Sequence, residues 1–69
     1  MANDTRALLH TRELHRQILQ AYDGLLEECF KAGDDEGASK WLRKGMDEQA
    51  IIEDLDEQIR RIWVEEHLY

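Results

Sequence analysis

The segment Lys31-Ala32-Gly33-Asp34-Asp35-Glu36-Gly37-Ala38 lies almost at the middle of a 69-residue chain that contains no proline. A helical pattern of similar length lies on either side of it. Gly33 stands where a left-handed C′ residue belongs, and Asp34 follows as the natural N-cap of a second helix. Asp35 and Glu36 then fall in a first turn, where negative charge complements the helix dipole. One central turn between two periodic segments predicts an all-α fold, an antiparallel two-helix hairpin in a single domain over 1–69. The expected elements are a helix over about 4–32, a turn over about 33–35 and a helix over about 35–66. Ser39, as a later N-cap after a longer loop, is the competing boundary.

The string Ala-Gly-Asp-x-x-x-Ala-x-x-x-Leu, from Ala32 to Leu42, resembles the helix-to-helix turn of a tetratricopeptide repeat. The flanking halves are not copies of each other, so the resemblance bears only on a tight turn and antiparallel helices. At the other end, Asn3, Asp4 and Thr5 are all good N-cap types.

Two apolar stripes run along the first helix. One is Leu8, Leu14, Ile18, Tyr22, Leu25 and Cys29; the other is Leu9, Leu19, Leu26 and Phe30. Together they make a face wider than a two-helix seam requires. The second helix carries Leu42, Met46, Ile52, Leu55, Ile59 and Ile62, with Trp41, Ile51 and Trp63 alongside. Facing residues of the hairpin should sum to about 67 or 68. That sets Leu25 opposite Leu42, Leu8 opposite Ile59, and Cys29 opposite Ala38. Gly45 falls near Tyr22, where a missing side chain leaves room for a ring. Leu25 and Ile52 are expected core positions, intolerant of aspartate.

A hairpin of this size is short of interior. Ordering 69 residues costs on the order of 100 kcal/mol of conformational entropy, which one seam offsets poorly. Disulfides, metals or oligomerisation close such a gap. Cys29 is the only cysteine, so no disulfide forms within the chain. His10 and His15 are five residues apart, about 140° around a helix, whereas helical metal ligands want a spacing of three or four. His15 is expected in the seam near Ile52, hydrogen-bonded, and His10 on the surface. Oligomerisation remains, and a homodimer forming a four-helix bundle is the expectation.

The chemistry-bearing residue types give no site. The pairs Glu27-Glu28, Asp47-Glu48, Glu53-Asp54, Asp56-Glu57 and Glu65-Glu66 repeat along the helices like a solvated face, with Arg43, Lys44, Arg60 and Arg61 as ion-pair partners. General acid–base work needs two carboxylates in unlike environments around a pocket. Cys29 lies on the apolar stripe with no matched histidine and reads as a small core residue. Gly33 and Gly37 flank acidic residues that would repel phosphate. No Glu-x-x-His motif of the four-helix carboxylate metal class occurs. The expectation is no enzyme, no cofactor and no metal.

Net charge is −7, from 16 acidic and 9 basic residues. Direct nucleic-acid binding needs a basic footprint that is lacking, whereas an acidic surface suits a basic protein partner. The charge also serves solubility alone. No apolar run is long enough for a membrane span, and Met1-Ala2-Asn3-Asp4 carries no basic-plus-apolar signal, so the expected location is the cytoplasm. Candidate partner contacts are Arg12 and Arg16, one turn apart, and the aromatic end at Trp63 and Tyr69. Arg12 and Arg16 have an internal alternative in the acidic run Glu53-Asp54-Asp56-Glu57. The terminal aromatics have one in folding back on Leu8 and Leu9.

With its length, acidic balance, central turn and two-helix plan, the chain resembles the anti-quorum-sensing proteins of Mu-like Pseudomonas phages. That resemblance rests on size and plan and carries over no residue. It implies a homodimer of hairpins acting as a stoichiometric inhibitor in the host cytoplasm. The implied partners are the DNA-binding domain of a quorum-sensing transcription activator and the pilus-assembly ATPase. Two other readings stay open. One is a helical chaperone or structural subunit masking a partner helix. The other is an RNA-binding four-helix dimer, with Arg6, Arg12 and Arg16 doubled across the dimer.

Overall fold

The structure, a computed structural model, describes residues 3–68. Two helices, α1 (Asn3–Ala32) and α2 (Asp35–Leu68), pack side by side as a hairpin. The rod measures 53 × 15 × 12 Å. Its long axis is set by the 34 residues of α2 at about 1.5 Å each.

The turn is as short as the capping chemistry allows. Gly33 has φ 69°, a region that favours glycine. The Asp34 N–H donates to the Cys29 carbonyl at 2.9 Å and the Gly33 N–H to the Phe30 carbonyl at 3.3 Å. Those are the 6→1 and 5→2 bonds of a Schellman motif, which satisfy the last carbonyls of α1. Asp34 then caps α2: its Oδ1 accepts from the Gly37 N–H at 2.9 Å and its carbonyl from the Ala38 N–H at 2.9 Å. Asp34, not Ser39, opens the second helix. A Cβ on Gly37 would collide with the Asp34 carboxyl and lie 2.8 Å from Cys29 Sγ, so the cap itself demands glycine there.

The seam follows a strict three–four alternation that the two sequence stripes only partly match. On α1 it takes Thr5, Leu8, Arg12, His15, Leu19, Tyr22, Leu26 and Cys29, all buried or half-buried. On α2 it takes Ala38, Trp41, Gly45, Glu48, Ile52, Leu55, Ile59 and Ile62. Corresponding positions sum to 67 along the hairpin, as the turn geometry requires. Ala38, Ile52 and Leu55 are the buried apolar residues of the described chain, with Ile52 5% exposed. Tyr22 meets Trp41 with ring centroids 5.6 Å apart.

Several expectations are corrected here. Leu25 is not a core residue: it is 41% exposed, and Leu42, its expected opposite, is 51% exposed. Leu14, Ile18 and Met46 are likewise outside. The alternation selects Leu19 and Leu26 from one stripe and Leu8, Tyr22 and Cys29 from the other. Gly45 is not required by a ring either. A Cβ there meets only Leu19 Cδ1, at 3.6 Å, an ordinary contact. Thr5 lies inside α1, buried, with its hydroxyl unpartnered, so it is not a cap.

Candidate docking surface

Two polar pairs cross the seam. Arg12 donates through Nη1 to Asp56 Oδ1 at 2.8 Å, and His15 Nδ1 lies 2.6 Å from Glu48 Oε2. Both pairs are part-buried; Arg12, His15 and Glu48 occupy seam positions that carbon would otherwise fill, and Asp56 reaches in from beside Leu55. Arg12 is therefore engaged by the acidic run of α2, and its Nε is buried without an acceptor. Arg16, one turn on, is exposed and shares a shallow groove with Glu13, Gln20 and Asp23. The two arginines do not form one basic strip. Arg61 pairs with Glu57 at 2.8 Å, whereas Arg43 and Lys44 make no ion pair within 4 Å among the described residues. His10 is exposed.

At the far end of α2, Trp63 is 52% exposed and stacks on His67 with centroids 4.3 Å apart. The ring N–H of His67 serves the Trp63 carbonyl at 2.8 Å. This i,i+4 pair is a local feature of one helix and leaves the indole accessible. Tyr69 lies outside the described residues.

The accessible surface is unexpectedly large. A compact monomer of 8.2 kDa exposes about 4,500 Å² by the usual mass scaling, whereas this chain exposes 5395 Å². The excess, about 900 Å², matches one partner's share of a standard protein–protein interface, roughly 800 Å².

Exposed large apolar side chains line two flanks of the rod. Leu14, Ile18 and Leu25, with Ala21 between, sit one residue before the seam positions of α1 and repeat the three–four spacing about 100° around the helix. Antiparallel packing places Ile51, one residue before Ile52, on the same side. The opposite flank carries Phe30, Leu42, Met46 and Trp63. Sequence reading assigned Leu14, Ile18, Leu25, Leu42 and Met46 to the interior and missed them as surface. The signal that identifies them is the second three–four series, displaced by one residue from the seam.

On the second flank an open groove of about 210 Å³ runs between the helices, lined by Leu19, Leu26, Trp41, Leu42, Gly45 and Met46, with Asp23 and Gln49 at its rim. Lys40 Nζ sits 4.8 Å from the Trp41 ring centroid, a cation–π contact.

Cys29 is half-buried beside the turn, its thiol 3.8 Å from Asp34 Oδ2. Burial pushes the thiol pKa above its ordinary value, and the Asp34 carboxylate adds to the rise. The thiol is thus held protonated, opposite to what a nucleophile needs. Among the described residues no three metal-ligating side chains gather, and no helix is long and apolar enough to cross a membrane. The chain matches no protein-family model, no curated protein and no solved structure.

Proposed function

We propose that this protein acts by occupying the surface of a larger macromolecule, stoichiometrically and without turnover, as a homodimer of hairpins. The observation that carries the reading is the surface excess of about 900 Å² on a chain with three buried apolar residues among those described. The Leu14–Ile18–Ala21–Leu25 flank suits a second copy. Run antiparallel on itself about Ile18, it sets Ile18 against Ile18 at the centre and, on either side, Leu14 over small Ala21 and Leu25 over Thr11, large against small at the flanking levels. Four helices then enclose the stripe in a bundle.

The dimer leaves the Leu42–Met46–Trp63 flank for the partner. With net charge −7, the favoured partner is a basic protein surface such as the DNA-reading face of a transcription regulator. The resemblance to phage anti-quorum-sensing proteins implies the DNA-binding domain of a quorum-sensing activator, together with the pilus-assembly ATPase. The RNA-binding alternative loses support because Arg12 is tied to Asp56 and cannot join Arg6 and Arg16 in a strip. Titrating such a regulator on its DNA site is the test: loss of DNA binding should saturate at a fixed molar ratio. Inhibition by strongly substoichiometric protein, growing with time, would overturn the reading.

A further inference from the structure

The groove floored by Gly45 has a property that hairpin packing does not explain. Glycine inside a helix is unfavourable relative to alanine, and at the base of an open groove, where Gly45 sits and Gly24 does not, it lets a partner group reach the backbone. Nothing in the hairpin approaches Gly45: an added Cβ would make one ordinary contact, 3.6 Å from Leu19 Cδ1. Alanine would fit the fold and favour the helix, yet would fill the floor of the groove. The walls are apolar, with Leu42 and Met46 51% and 65% exposed. At the rim stands Asp23, whose carboxylate makes no ion pair among the described residues. The groove is therefore a notch for one large apolar side chain, with an unspent negative charge beside it.

We propose that the Gly45 notch is the anchor site for the partner, taking an apolar side chain that projects from a basic helix and setting Asp23 against a neighbouring lysine or arginine. The inference rests on the surface-occupying reading and names the site through which it works. The choice of a basic helix over a second copy follows from the charge at the notch itself: two copies meeting there would set Asp23 against Asp23, whereas a lysine or arginine beside the inserted side chain would meet its opposite.

The probe is a synthetic amphipathic helix with one leucine row and lysines elsewhere, titrated by calorimetry with the intact protein. A leucine–glutamate helix of the same length is the counter-probe. Wild type should bind the lysine helix and not the glutamate helix. Gly45→Ala should keep its helicity, melt at the same temperature or higher, and bind at least tenfold more weakly. Gly24→Ala controls for helix propensity, since a Cβ at Gly24 meets nothing within 4 Å. It should raise stability without loss of binding. Asp23→Asn should weaken binding severalfold. Equal affinity of Gly45→Ala and wild type, equal binding of the two helices, or no binding of the lysine helix overturns the proposal. So does a Gly45→Ala variant that loses self-association in sedimentation, because the notch would then belong to a second copy. The surface-occupying reading fails separately, by catalytic behaviour in the titration of the regulator.

Discussion

At the residue scale, a handful of positions decide where the chain turns. Asp34 closes α1 and opens α2, and Gly37 is the residue its carboxylate needs beside it. Gly37→Ala should therefore lower stability although alanine favours helices. The methyl must displace the Asp34 carboxyl or Cys29, and losing such a cap costs about 1 kcal/mol. A drop in melting temperature by circular dichroism is expected; a rise would show that the cap is not made as described. Cys29 offers a second check. Its raised thiol pKa means less thiolate than a free cysteine has at any given pH. Alkylation in mildly alkaline buffer should be slower in the folded protein than in denaturant. By linkage, the protonated thiol's contribution is fully present below the ordinary thiol pKa, and is lost as pH rises through the raised value. A folded protein alkylated as fast as the unfolded chain would contradict this.

At the element scale, the two helices and their turn were legible in the sequence, because capping residues and three–four spacing act locally. Gly33 and Asp34 announced the break, and α2 presented Ile52, Leu55, Ile59 and Ile62 in one unambiguous row. The rotation of α1 about its axis was not legible. Leu14, Ile18 and Leu25 are as apolar as Leu19 and Leu26 and repeat with the same spacing, so periodicity alone cannot rank the two rows. What accompanies the inner row is a pair of polar seam contacts, Arg12 with Asp56 and His15 with Glu48, formed only between helices. The His15 hydrogen bond was foreseeable from its place on the seam; its partner was not. The candidate surface was legible only as an excess of apolar width, and the notch at Gly45 not at all, since its meaning lies in what Leu19 and Trp41 leave unfilled. The end of α2 makes a prediction at this scale. Truncation after Ile62 removes Trp63 and its His67 stack but no seam residue. Helicity should fall by little more than the deleted helical residues 63–68 contribute while partner binding weakens. Loss of the hairpin itself, seen as loss of cooperative melting, would show that the aromatic end belongs to the core.

At the scale of the whole molecule, the hairpin is a rod one helix pair wide, with far more surface than its mass needs in a compact form. A second copy along Leu14, Ile18 and Leu25 would enclose that surface, and this association is the account's central claim. Two aspartate substitutions separate the interior of the hairpin from its outer seam. Ile52→Asp places a charge at a position 5% exposed and should unfold the chain, since desolvating it costs several kcal/mol. Leu25 is 41% exposed, so Leu25→Asp leaves the hairpin's own interior intact and strikes only the outer seam. Sedimentation equilibrium at low micromolar concentration is the most direct measurement. Wild type should sediment at twice the 8.2 kDa chain mass, and Leu25→Asp at the chain mass with its helical circular dichroism largely kept. A wild-type protein that is well folded at the chain mass under those conditions, or a Leu25→Asp variant that remains a dimer, would contradict the account.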